Sequence, residues 1–164
     1  SARQFREKGL VQMVGDALRE SALPPQLVTL EITETTVMHD AVEASAILAE
    51  LKKLGIGISV DDFGTGYSSL AYLKRFPIDQ LKIDRSFVRD VAVDADSAAI
   101  AQGIIGLARS LRLQTVAEGV ETAEQGDILK ASGCDRMQGY LFSPPLPADR
   151  LLELMRGHRG GRVV

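Results

Sequence analysis

Apolar positions recur along this chain in two alternating rhythms. Phe5, Val11, Val14 and Leu18 fall at helical spacing and predict a helix over about 4–20, ended by Leu23-Pro24-Pro25. Val28 to Thr33 is a short aliphatic run that predicts a strand. A helix over 40–54 follows, with Asp40 as N-cap, Glu43 as its capping partner and Gly55 as the stop. The pattern then repeats, with strands near 57–61, 79–83, 114–118 and 135–138 and helices near 68–75, 97–111, 123–131 and 147–156. Thr122-Ala123-Glu124-Gln125 has the form of a capping box, and Gly133 that of a C-terminal stop. Strands separated by helices imply parallel βα units. Five units suit either a barrel or a doubly wound sheet, and 164 residues fall short of the ~250 of a complete (β/α)8 barrel.

Within the strands, period-two alternation separates aliphatic from ionisable positions. In LVTLEITE (27–34), Val28, Leu30 and Ile32 oppose Thr29, Glu31 and Thr33. In GISVDD (57–62), Ile58 and Val60 oppose Ser59 and Asp61, and Asp62 lies just past the strand end. In QLKID (80–84), Leu81 and Ile83 oppose Lys82 and Asp84. Glu118 closes the strand in QTVAEGVE (114–121), with Glu121 after it. Four successive strands thus carry an ionisable residue at the C-terminal end, the rim on which α/β folds build their sites. Clustered carboxylates repel one another. Lys82 supplies one positive charge, and hard divalent cations such as Mg²⁺, Mn²⁺ or Ca²⁺ would supply the rest. A structural salt-bridge cluster is the alternative. The adjacent Asp61-Asp62 is suited to sharing two ions, a device for phosphoester hydrolysis, and Gly64-Thr65-Gly66 gives the next loop freedom to approach a ligand.

Composition narrows the field. The net charge is −3 with a pI near 5.4, which argues against a DNA-binding face. One Cys and two His exclude a disulfide framework and a Cys/His zinc site. The absence of a long apolar run or a leader predicts a cytoplasmic domain without direct membrane contact, compatible with the cytosolic part of a membrane-anchored protein. Asp62-Phe63-Gly64 has the letters of a kinase metal motif, but the companion HRD, glycine-rich loop and strand lysine are missing. No P-loop, GxSxG or HExxH occurs. Cys134 reads as a small core residue, His39 and His158 as surface residues, and 156–164 as a frayed tail.

Taken in order, LEITET (30–35), VDDFGTGYSSL (60–70), LKIDRSFV (81–88), TVAEGVET (115–122) and CDRMQGYLFSPPLP (134–147) resemble an EAL domain, the bacterial family of cyclic di-GMP phosphodiesterases. The resemblance implies an α/β, (β/α)8 TIM-barrel-like fold that hydrolyses cyclic di-GMP to linear pGpG with two Mg²⁺ or Mn²⁺ ions. By that likeness Glu31, Asp61, Asp62 and Glu118 are metal ligands, Asp61 bridging the two ions and Glu118 binding the second directly or through water, and Lys82 helps to activate the attacking water. Glu34 steadies the loop after Asp62, while Glu121 and Gln138 lie either behind the metal ligands or on the substrate side. Two features depart from the family pattern. No Glu-Ala-Leu tripeptide occurs in the chain, and Ser1-Ala2-Arg3-Gln4-Phe5 begins inside a motif resembling N-x-S-x-x-Q-F. Residues 1–156 are therefore expected to be the C-terminal portion of an EAL domain, about five βα units, with 157–164 a flexible tail. Such a piece is expected to hydrolyse cyclic di-GMP poorly alone and to self-associate through its open edge. In the whole protein an upstream sensor or diguanylate cyclase-like domain is expected. The alternative is a non-catalytic EAL module that binds cyclic di-GMP or a protein partner.

Overall fold

The computed structural model describes residues 2–7, 9–66 and 69–157. Five strands among them, β1 (Thr29–Thr33), β2 (Gly57–Phe63), β3 (Gln80–Ile83), β4 (Gln114–Glu118) and β5 (Arg136–Gln138), form one sheet in sequential order. Every neighbouring pair is parallel. The helices are α1 (Ala2–Phe5), α2 (Leu10–Ser21), α3 (Glu34–His39), α4 (Ala41–Lys53), α5 (Leu70–Leu73), α6 (Arg85–Arg89), α7 (Ala95–Leu111), α8 (Ala123–Ser132) and α9 (Ala148–Gly157), with a 3-10 turn at Pro25–Leu27. This is the βα progression of a (β/α)8 barrel, with β1 and β5 as the sheet edges among the described residues.

The sheet has two unlike faces. Ile58, Val60, Leu81, Ile83 and Ala117 are fully buried on the outer face. They pack with Leu48 and Leu51 of α4, Ile104, Ile105 and Ala108 of α7 and Leu129 of α8 in one core. Those helices present apolar residues at spacings of three and four, as at Ala41, Ala44, Leu48 and Leu51. The inner face is polar: register places Glu31, Ser59, Gln80 and Gln114 in one row across the strands, and Glu118 beside Gln138 in another.

Caps fix the helix starts. Asp40 accepts from the Glu43 amide at 3.0 Å and Asp94 from the Ser97 amide at 2.8 Å, and Thr122 with Gln125 closes the expected capping box. At the N-terminal end of the sheet two carboxylates tie strands together. Asp79 accepts the Ile58 amide at 2.8 Å and the Lys52 ammonium at 2.8 Å. Asp135 accepts the Thr115 amide at 2.8 Å and the Thr115 hydroxyl at 2.9 Å.

Several boundaries differ from the sequence expectation. The helix over 4–20 is broken into α1 and α2 because Gly9 adopts φ +111°, a conformation that ends helical continuity. The short helices α3 and α6 were not anticipated, since each buries too few apolar residues to show periodicity. The helix over 68–75 contracts to Leu70–Leu73, with residues 67 and 68 outside the described set. β2 runs on to Phe63, so Asp62 lies within the strand rather than past its end. His158 and most of the expected tail lie outside the described residues, and residue 157 ends α9. Among the described residues no helix is long and apolar enough to cross a membrane.

Candidate metal centre

The C-terminal ends of β1 to β4 converge on Lys82. Its side chain is 5% exposed. Its ammonium lies 2.8 Å from Glu31 Oε2, 3.1 Å from Asp61 Oδ1 and 2.6 Å from Glu118 Oε1. Burial alone pulls the lysine pKa down. Hydrogen bonds to Glu118, Glu31 and Asp61 outweigh it, and the net shift is upward from the ordinary lysine value. The arrangement favours the ammonium form. Glu118 moves upward, first through burial and then through the Asp61 and Glu31 charges, against the opposing pull of Lys82.

Asp61 and Asp62 are consecutive, yet both carboxylates reach the site. The β2–β3 register shifts between Val60 and Phe63, and Asp62 adopts φ +54°. This irregularity breaks the period-two alternation that would send the second side chain to the other face. Asp tolerates the left-handed conformation better than most residues, and strained backbone of this kind gathers at functional sites. One carboxylate oxygen from each of Asp61, Asp62 and Glu118 lies within 4.8 Å of the others. Asp61 Oδ1 also accepts from the Asp62 amide at 3.0 Å. This convergent all-oxygen set suits a hard divalent cation.

Asp84 belongs to this neighbourhood, and the sequence-derived site left it out. It caps α6, accepting the Ser86 amide at 2.9 Å, and its carboxyl is close enough to that of Asp62 to raise the Asp62 pKa. Asp62 titrates above the ordinary carboxylate value through burial, then Asp61 and Asp84, with Lys82 opposing. In Asp84, burial raises the pKa, but bonds from Ser86 outweigh it and the net shift is downward. The spacing Lys82-x-Asp84 at a strand end was the signal for it.

Glu34 begins α3 and is buried. Its Oε2 accepts the Gly64 amide at 2.9 Å, and a Cβ at residue 66 would meet its Oε1 at 2.9 Å. The carboxylate therefore occupies the hollow that Gly66 leaves, tying the loop after β2 to the end of β1. Glu121 and Gln138 stand apart from the cluster. Both are exposed, and neither side chain bonds to Lys82 or its partners. Their backbones are held: Gln125 Oε1 accepts the Glu121 amide at 2.7 Å, and the Gln138 carbonyl accepts the Val120 amide at 3.1 Å. Cys134 is half-buried, and burial pushes its thiol pKa up, consistent with a packing role. His39 is exposed at the end of α3.

With fold and rim defined, the comparisons with known proteins place the chain in a family. The EAL domain family profile matches residues 1–145, and the chain belongs to that family. It is 51% identical over 152 residues to the bifunctional diguanylate cyclase/cyclic di-GMP phosphodiesterase MucR of Pseudomonas aeruginosa, covering 93% of this chain and 22% of that protein. The structure of the MucR phosphodiesterase in complex with c-di-GMP superimposes with a TM-score of 0.90, covering 92% of this chain and 61% of that one. A manganese/c-di-GMP complex of Klebsiella pneumoniae BlrP1 gives a TM-score of 0.79 at 35% identity, covering 87% of this chain and 36% of that one. The chain thus spans about a fifth of the length of its curated relative MucR.

Proposed function

We propose that the protein containing this chain hydrolyses cyclic di-GMP to linear pGpG, with Mg²⁺ or Mn²⁺ held by Glu31, Asp61, Asp62 and Glu118. The observation that carries this is the approach of Asp61, Asp62 and Glu118 oxygens to within 4.8 Å, on the rim of an EAL domain. The relatives' cyclic di-GMP chemistry and the manganese complex of BlrP1 support the same substrate and ion class. When bound, two such cations lower the pKa of a water and neutralise charge on phosphoryl oxygens.

The chain's own residues do the rest. Asp61 and Asp62 put two carboxylates side by side at one strand end. Glu31 and Glu118 face them from β1 and β4, one on each side of Lys82. Lys82, an ammonium in this arrangement, holds three of the four carboxylates in place, so a part in water activation needs their charge offset first. Glu34 fixes the loop 64–66 beside them, and Glu121 and Gln138 remain proposed substrate-side groups. Fusion to an upstream sensor or diguanylate cyclase-like domain, a cytoplasmic setting and self-association belong to the same proposal.

The experiment is cyclic di-GMP hydrolysis followed by chromatography. It compares the 164-residue chain with a form extended upstream to the ~250 residues of a full barrel, in Mg²⁺, Mn²⁺ or Ca²⁺. The extended form is expected to yield pGpG in Mg²⁺ or Mn²⁺, the short form little, and Asp61→Asn none. An extended form that binds cyclic di-GMP but does not cleave it in any of the three would sink the enzymatic reading in favour of a binding module.

A further inference from the structure

Ser59 sits in the middle of β2, fully buried, and its hydroxyl oxygen has no hydrogen-bond partner among the described residues. No other buried side-chain polar atom among the described residues is in that position. An unpaired buried hydroxyl is destabilising, and alanine would occupy the place without that loss. The serine therefore works against the metal-free fold, and its location indicates what it gains.

Period-two alternation puts Ser59 on the face of Asp61, one row below it toward the N-terminal end. In register, Ser59 lies opposite Glu31 on one side and Gln80 on the other, across strands about 4.8 Å apart. Glu31 uses only Oε2, in its bond to Lys82, and its side chain is half-exposed. An ammonium has three protons, and Lys82 directs them to Glu31, Asp61 and Glu118. A divalent cation drawn to these carboxylates competes with Lys82 for them. Glu31 then loses the contact that orients it. The adjacent unpaired donor is Ser59, and a hydroxyl bond to a carboxylate is stronger than one to the neutral amide of Gln80.

We propose that Ser59 is a positioning residue for the metal centre: its hydroxyl donates to the Glu31 carboxylate when Glu31 exchanges Lys82 for a divalent cation. The inference rests on the cation site of the proposed phosphodiesterase. Groups hydrogen-bonded to metal ligands typically tune metal affinity 10–100-fold.

The test is Ser59→Ala in the upstream-extended protein, with Mn²⁺ alone titrated by electron paramagnetic resonance and melting recorded in EDTA. Mn²⁺ affinity is expected to fall about tenfold. The metal-free melting temperature is expected to rise by about 2–4 °C, because an unpaired buried group has been removed. A serine with a purely structural role would not move the two readouts in opposite directions. Unchanged Mn²⁺ affinity overturns the proposal, and so does a lower metal-free melting temperature, which would mean that the hydroxyl is already satisfied. In a Glu31→Ala background the effect of Ser59→Ala on Mn²⁺ should vanish; a persisting loss also overturns it. A wild-type extended protein that takes up no Mn²⁺ overturns the metal-centre reading itself, an outcome distinct from wild-type binding that Ser59→Ala leaves untouched.

Discussion

The two ends of this sheet use the same side chain for opposite purposes. At the N-terminal end, Asp79 and Asp135 each accept a backbone amide of a neighbouring strand, and Asp79 adds the Lys52 ion pair. Those carboxylates hold strands in register. At the C-terminal end, Glu31, Asp61 and Glu118 share one ammonium, and Asp62 leans on Asp84. Carboxylates outnumber cations there, and burial lifts Glu118 and Asp62 above their ordinary values. A carboxylate satisfied by backbone donors stabilises a fold. Carboxylates crowded beyond their local counter-charge store a preference for cations. In parallel barrels the first arrangement belongs to the stability end and the second to the chemical end.

Substitutions at the two ends should separate these purposes. The largest effect is expected from Lys82→Ala in the extended protein: turnover of cyclic di-GMP should fall about 10²–10⁴-fold, while Asp135→Ala leaves turnover near wild type. Comparable losses from both would erase the distinction. Next, Asp135→Ala should destabilise the chain by about 1–3 kcal/mol in urea unfolding, because the Thr115 amide and hydroxyl lose their acceptor. Its Mn²⁺ affinity should be unchanged, and a loss of that affinity would tie the two ends together. The smallest effect concerns pH. Glu118 and Asp62 titrate above their ordinary values, so the folded chain holds these protons more tightly than the unfolded one. Stability in EDTA should therefore decline as pH rises from about 4 through the raised values, and Glu118→Gln should flatten that decline. Equal slopes for variant and wild type would assign the pH dependence to other groups.

Much of this contrast was legible in the amino-acid order. Strand aliphatics alternate with polar residues, and four strands carry Glu31, Asp61, Lys82 or Glu118 on the inward face near the C-terminal end, so the rim could be read from period two alone. The Thr122–Gln125 box was legible because capping chemistry is local. What escaped depends on contacts distant in sequence. The irregularity at Asp62 exists only through pairing with β3. Asp84 joins the site only once β3 lies beside β2. The unpaired state of Ser59 reflects what neighbouring strands withhold. The short α3 and α6 escaped for a different reason: one or two buried residues do not make a period.

The β2 irregularity has one more consequence, in spacing. A regular strand delivers one side chain to a given face every two residues, roughly 6.6 Å along its length. At that interval a single strand supplies one carboxylate to a small ion, and a second must come from another strand. By turning Asp62 through φ +54°, β2 delivers two from adjacent residues, and their oxygens meet that of Glu118 within 4.8 Å. One displaced residue thus doubles the density of carboxylates that a single strand brings to the rim, without lengthening the chain.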